Sequence, residues 1–378
     1  MKVYFDNAAT TPIDPEVAEV MCELLKSNFG NPSSIHSFGR ETRAIIERSR
    51  KQIASFLNVS PSEIYFTAGG TEADNMAIRC SVRDLNVKRI ITSPIEHHAV
   101  LHTAEQCEQD TGVQVDLVKI TPEGYVDMDD LERLLTSSDK KTLVSLMHAN
   151  NEIGNLIDLK EVGDLCKEQG AFFHSDTVQT MAHYRFDFSA MNVDFATCSA
   201  HKFHGPKGIG FLYINKDVSV KPLIFGGSQE RNMRAGTENV YGIASLAKAM
   251  EIAHHSMDAH QEHVLGIKKY MIEQLELLFP SIDFNGDPKG RSLYTVLNVS
   301  FPSSEMNEMF LYNLDIEGIA ASGGSACSSG SNVGSHVLNA LGKNSEGPAI
   351  RFSFSRFNTK AEVEYAVAVL KELYGVPA

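Results

Sequence analysis

The residues best suited to chemistry lie between two short runs of β-type sequence, Asp194-Phe195-Ala196-Thr197-Cys198 and Ile209-Gly210-Phe211-Leu212-Tyr213. Between them stand Ser199, Ala200, His201 and Lys202, then Gly205-Pro206-Lys207-Gly208, a stretch rich in chain-bending residues. A lysine at the end of a buried-looking strand, beside a hydroxyl and an imidazole, can be desolvated to a usable amine. Such an amine can hold an aldehyde cofactor as a Schiff base. Alone, Lys202 reads more simply as a surface lysine in a turn, so its chemistry depends on partners elsewhere.

Those partners are spread along the chain. Asp176 follows the apolar run Ala171-Phe172-Phe173-His174-Ser175; it can pair with a cationic ring nitrogen, or merely cap a helix from Thr177. His97, in Glu96-His97-His98, can stack on a flat ring and move protons, or be a structural histidine. Gly69-Gly70-Thr71 turns a strand into a helix, which presents free N–H groups to a phosphate, though a plain tight turn reads the same. Cys327 lies in the Gly/Ser loop spanning residues 322–331, with nothing apolar to bury it. A thiol there is expected to be exposed and mobile, a better nucleophile than Cys22, Cys80, Cys107, Cys166 and Cys198, whose neighbours look like core. His97, His98, His102 and Cys107 match no tight metal motif, so no metal is expected. Residues 205–210 lack the spacing and the Ser/Thr of a P-loop.

The elements that must position these groups are legible in outline. Asp14-Pro15 opens a helix to about Ser27, and a charged helix runs to about Leu57. Strands are expected at 63–67, 89–93, 113–118, 142–148 and 171–175, with helices at 72–85, 99–109, 128–136 and 159–169. This alternation indicates right-handed βαβ units and a largely parallel sheet, whose ligands sit at the carboxyl ends of strands. Those ends carry Thr71, His97, Asn150-Asn151-Glu152, Asp176 with Gln179, and Lys202. Helices from Val240 to His255 and on to Phe279 follow, and the alternation stops near His260. β segments at 283–302 and 318–322 and a helix at 360–373 then suggest a smaller α+β domain. The expected division is a large domain over residues 14–258 and a small one from 1–13 with 259–378.

Composition narrows the class of protein. The 378 residues are 43% hydrophobic and 22% charged, ordinary for a soluble globular chain. A net charge of −14 argues against nucleic acid or an anionic membrane as partner. No apolar run approaches membrane-spanning length, and the opening MKVYFDNAATTP has no h-region, so a cytoplasmic protein without a targeting segment is expected. The six cysteines are widely spread, with no C-x-x-C pair, which fits a reduced compartment.

Several stretches together resemble one family. Ser199-Ala200-His201-Lys202 followed by Gly205-Pro206-Lys207-Gly208 is similar to the lysine motif of cysteine desulfurases, which are pyridoxal 5'-phosphate (PLP) enzymes of the class V aminotransferase group. Phe66-Thr67-Ala68-Gly69-Gly70-Thr71-Glu72 resembles the phosphate turn, and Glu96-His97-His98-Ala99, Asn150-Asn151-Glu152-Ile153-Gly154 and Arg234-Ala235-Gly236-Thr237-Glu238-Asn239 the other site motifs. Ala326-Cys327-Ser328-Ser329-Gly330 resembles the catalytic cysteine loop of the branch serving iron–sulfur assembly; Val333-Gly334 replaces the Glu-Pro that commonly follows it. The match runs from Tyr4-Phe5-Asp6-Asn7 to Arg351-Phe352-Ser353-Phe354-Ser355-Arg356-Phe357.

The resemblance implies the fold type I of PLP-dependent transferases, with a mainly parallel seven-stranded sheet. It implies that Lys202 holds PLP and shuttles the substrate's α-proton, Asp176 keeps the ring nitrogen protonated, Gln179 bonds the phenolic oxygen and His97 stacks on the ring. Gly70, Thr71, Ser199 and His201 would hold the phosphate, with Thr237 reaching the phosphate of a neighbouring subunit in a homodimer. Arg356, aided by Asn7 and Asn151, would grip the carboxylate of L-cysteine. Cys327 would take the sulfur as a persulfide, leaving L-alanine, and pass it to an acceptor such as an iron–sulfur scaffold protein. A selenocysteine lyase, a PLP-dependent C–S β-lyase and a catalytically silent assembly protein are the alternatives. The intact set Lys202, Asp176, His97, Gln179 and Cys327 speaks against the last of these.

Overall fold

The computed structural model describes residues 1–303, 307–323, 334–343 and 347–375. A short strand β1 (Val3–Tyr4) and helices α1 (Pro15–Ser27) and α2 (Ser37–Phe56) lead into β2 (Ile64–Thr67). Then come α3 (Gly70–Asp84), β3 (Arg89–Thr92), α4 (His98–Thr111), β4 (Gln114–Leu117), α5 (Met128–Thr136), β5 (Thr142–Ser145), α6 (Leu159–Glu168) and β6 (Phe172–Asp176). After β7 (Phe195–Ser199) and β8 (Gly210–Ile214), a single turn α7 (Gln229–Asn232) precedes α8 (Val240–His255) and α9 (Met257–Leu278). The remainder is β9 (Asp283–Asn285), β10 (Val296–Ser300), α10 (Phe310–Ile316), β11 (Ile319–Ala320), α11 (His336–Ala340), β12 (Ala349–Ser353) and α12 (Lys360–Leu373).

The main sheet has seven strands in the order β2-β8-β7-β6-β5-β3-β4. Neighbours from β4 through β7 are parallel, and β8 runs antiparallel to both β7 and β2. Every residue of β3, β5, β7 and β8 is buried, as helices on both faces of a sheet require, whereas the edge strand β4 is partly exposed. Asp14 starts α1 as foreseen: its carboxylate accepts from the Glu16 N–H at 2.8 Å, with Pro15 in the first helical position.

A second core gathers Val3 and Phe5 with Val264, Met271, Leu297 and Phe352. Around it stand the three-stranded antiparallel sheet β12-β10-β9 and the parallel pair β1-β11. Several features depart from the sequence reading, helices α10 and α11 among them. Strand β12 was not anticipated, and Cys22 is exposed on α1 rather than in core, because it falls on the solvent side of an amphipathic helix. Among the described residues no helix is long and apolar enough to cross a membrane, and no group of three His, Cys, Asp or Glu is placed to hold a metal.

Candidate active site

The carboxyl ends of the central strands open onto a cavity of about 720 Å³. Lys202 leaves β7 in a tight turn, and its Nζ donates to the carbonyls of Ala8 at 2.6 Å and Ala9 at 3.0 Å. Asp176 is the last residue of β6; its Oδ1 accepts from the Val178 N–H at 2.9 Å and from Thr197 Oγ1 at 3.3 Å. No helix starts at Thr177: Asp176 instead braces the turn that follows it, and it lines the cavity. Gln179 Nε2 donates to Ala8 O at 3.1 Å. His97 caps α4, its Nδ1 accepting from the Ala99 N–H at 3.1 Å, so in the neutral ring the proton sits on Nε2.

One end of the cavity is the start of α3. Gly69 occupies the N-cap position with φ +155°, a conformation open to glycine, and supplies no side chain to the helix's free N–H groups. A Cβ on Gly70 would lie 2.6 Å from Val178 Cγ2, so the turn presses directly on the segment after Asp176. Glu72 braces this turn by accepting from Ala68 N–H at 3.0 Å and pairing with Arg234 at 2.9 and 3.1 Å. Ser199 and His201 line the same cavity. Burial, reinforced by Lys202 and Lys207, pushes His201 down to about 4, leaving its ring neutral; its Nδ1 lies 3.1 Å from Thr10 Oγ1. A helix N-terminus with uncapped amides is an anion site.

The other end carries an arginine, but it is Arg351 and not Arg356. On β12 Ile350 and Phe352, with Phe354 just after it, bury one face in the second core, so Arg351 faces the cavity. It donates to Asn151 O at 3.0 Å and pairs with Asp6 at 2.9 Å. Arg356 lies outside this cavity because it is committed elsewhere: it pairs with Asp14, and its guanidinium sits 4.8 Å from the Phe357 ring centre. Asn7 is also off the cavity surface, buried with its amide donating to Ser353 O at 2.9 Å and to Tyr4 O at 3.2 Å. Asn151, by contrast, lines the cavity, as do Gly70 and Thr71. Thr237 is exposed and lies away from this chain's own cavity. Cys327 falls outside the described residues.

Electrostatics follow from burial. Asp176 is pushed up to about 6 by desolvation and by Asp74, with His97 opposing. His97 is pushed down by burial, partly offset by Asp176. Glu152, whose carboxylate accepts from Ser335 Oγ at 2.5 Å, is raised by burial. Left alone, Asp176 resists ionising; a cation held against it would restore the charge. Sequence reasoning also missed His336, whose ring meets His98 at 3.2 Å on the cavity wall. For Arg351, the alternation of apolar residues around it was the available signal.

The chain belongs to the aminotransferase class-V family, whose model matches residues 3–366. Within it, this chain falls among the cysteine desulfurases. It is 44% identical to the cysteine desulfurase IscS of Dictyoglomus turgidum, over 98% of this chain and 94% of that one. A solved NifS-like protein superposes with a TM-score of 0.92 at 36% identity, covering both chains fully. SspA, solved in complex with cysteine, gives a TM-score of 0.81 at 30% identity, over 95% of this chain and all of that one.

Proposed function

We propose that this chain binds PLP in the 720 Å³ cavity and uses it to remove sulfur from L-cysteine, giving L-alanine and a persulfide on Cys327. The observation that carries the reading is the convergence of the Lys202 amine, the buried Asp176 carboxyl and the uncapped start of α3 on one cavity. These groups fit the cofactor: an amine for its aldehyde, a carboxylate for its ring nitrogen, and backbone N–H groups with Ser199 and His201 for its phosphate. When bound, PLP supplies an electron sink for the carbanion formed at the substrate's α-carbon.

Every other task falls to the protein. Lys202 holds the cofactor and, once displaced, carries the α-proton, with Ala8 and Ala9 carbonyls to receive its ammonium. Asp176 keeps a proton on the ring nitrogen by offering it an anion. His97 stacks on the ring, with Nε2 free to exchange protons because Nδ1 is tied to α4. Arg351 grips the substrate carboxylate through its planar fork, oriented by Asp6 and the Asn151 carbonyl. The Cys327 thiolate attacks the substrate sulfur; an S–S bond forms, the C–S bond breaks, and its electron pair stays on carbon to be protonated as alanine.

Three wider readings belong to the same proposal. The two cores support a large unit over residues 14–258 and a small one from 1–13 with 259–378. The exposed Thr237, on a segment that also exposes Phe225, serves the cofactor of a second copy in a homodimer. The persulfide passes to an acceptor protein such as an iron–sulfur scaffold. The deciding experiment incubates purified protein with L-cysteine and an acceptor thiol, then quantifies alanine and sulfide. Pyruvate and ammonia in place of alanine would replace this reading with β-elimination.

A further inference from the structure

Behind Asp176 lies a pair of ionisable groups that the reaction does not use. Asp74 projects from α3 and His174 from β6, the first 1% exposed and the second 0%. Asp74 Oδ1 and His174 Nε2 are 3.4 Å apart, and neither atom has a hydrogen-bond partner. On its far side, His174 Nδ1 lies 2.8 Å from Ser145 Oγ on β5. Thr197 on β7 links the pair to the cofactor site, because its hydroxyl bonds Asp74 and also stands 3.3 Å from Asp176 Oδ1. A hydroxyl has one proton to give, so it satisfies only one of two ionised carboxylates at a time.

The surroundings offer no compensation for a second anion. Asp176 on β6 and Glu96, which precedes α4, are acidic and buried, and His97 at the start of α4 is pushed toward neutrality by burial. Among the described residues, the only ion-pair contact of Asp74 or His174 is the one they make with each other. An ionised Asp74 beside a neutral His174 would place an uncompensated charge next to Asp176 in a dry interior. Burial raises Asp74 to about 7, in the same direction.

Resting on the PLP reading of the cavity, we propose that Asp74 and His174 form a net-neutral proton-holding pair, which leaves Asp176 rather than Asp74 the anion available to the cofactor's ring nitrogen. Asp74 is then a positioning residue acting through Asp176. Two protons are shared by the pair, as carboxylic acid with imidazole or as carboxylate with imidazolium. Both forms place a proton on His174 Nδ1, donated to Ser145 Oγ. The charged alternative, an ionised Asp74 receiving the Nε2 proton of a neutral imidazole, leaves Nδ1 bare. The site thereby reserves its negative charge for the ring nitrogen instead of dividing it between two carboxylates.

The test is histidine-selective ¹⁵N NMR on the cofactor-free protein near pH 6, with the His174 signals assigned by their absence from His174→Gln. A protonated Nδ1 is expected; a bare Nδ1 with a protonated Nε2 overturns the proposal. This readout needs no cofactor, so a protein that fails to take up PLP would sink the site reading without touching it. In the loaded enzyme, Asp74→Asn replaces an acid O–H donor by an amide N–H donor at the same place. The pH midpoint of the cofactor's visible band should then stay within about 0.3 unit of wild type, and a displacement of a full unit or more, tenfold in proton affinity, shows that Asp74 carries the charge. Should Asp74→Asn not fold, the wild-type spectrum alone decides.

Discussion

Arg351 and Arg356 provide the sharpest test of the site, because only Arg351 lines the cavity. A guanidinium fork on a carboxylate makes two charge-assisted hydrogen bonds worth about 1.5–3 kcal/mol each. Arg351 already shares its charge with Asp6, so the low end applies. Arg351→Ala should lose about 3 kcal/mol of substrate interaction, or ~10²-fold in kcat/KM, mostly through KM. Arg351→Lys keeps the charge without the fork and should fall between, at ~10-fold. Arg356→Ala should behave oppositely. It abandons the carboxylate of Asp14, which caps α1, in a pair whose side chains are only 12% and 9% exposed. Its cost is therefore stability, about 1–3 kcal/mol and a few degrees in Tm, with KM for L-cysteine unchanged. Steady-state kinetics and thermal unfolding of the three variants separate the roles. A KM raised a hundredfold by Arg356→Ala, with Arg351→Ala kinetically silent, would refute the assignment.

Borohydride reduction of the PLP-loaded protein should fix the pyridoxyl group on Lys202, as read by peptide mass mapping; a label on Lys207 would displace the catalytic amine by five residues. Cys327→Ala should keep PLP and still bind cysteine, while acceptor-dependent alanine release falls by several orders of magnitude. The exposed Cys22 is the control: Cys22→Ala should leave the rate intact, and a comparable loss there would give it the nucleophile's role. Asp176 tests the electrostatics. Its carboxyl is raised to about 6 in the cofactor-free fold, so folding favours the proton and stability from this group is lost as pH rises from about 4 through 6. Asp176→Asn should therefore stabilise the cofactor-free protein at pH 7 by roughly 2–3 kcal/mol in urea unfolding, with no gain below pH 4, and should bind PLP poorly. Equal stability of the two proteins at pH 7 would show that Asp176 ionises freely in the fold.

Much of the large sheet could be read directly, because βαβ units advertise themselves through short buried strands and longer amphipathic helices. Helix α12 was placed to the residue, its ends marked by the Thr359–Glu362 capping box and by Tyr374. What was illegible lay where local pattern and tertiary role part company. Strand β12 follows a polar stretch and carries Arg351 in its middle, and a charged residue inside a strand conceals the alternation of Ile350, Phe352 and Phe354. The motif containing both arginines was recognised, but spacing alone cannot tell which one faces the cavity; only the pairing Leu297↔Phe352, Asn298↔Arg351 fixes the faces. His336 and Asp74 were equally hidden. Each reaches the site from an element whose sequence explains its helix and nothing else.

The register of β1 has a consequence for how the protein is made. Val3 and Tyr4 lie beside Ile319 and Ala320, Asp6 bridges to Ser353, and the carbonyls of Ala8 and Ala9 receive Lys202. A nascent chain can close its seven-stranded sheet soon after Ile214 emerges, since those pairings are confined to residues 64–214. Residues 3–6, translated first, then have no strand to dock on for another hundred codons. Joining β1 to β11 closes a loop of some three hundred residues, an entropic toll that grows only slowly with length. Loss of the last strands to a frameshift or a protease would thus spare the pairings of the sheet that carries Asp176 and Lys202 yet strip Arg351 and the docking site of β1, and with it the hold on residues 3–6.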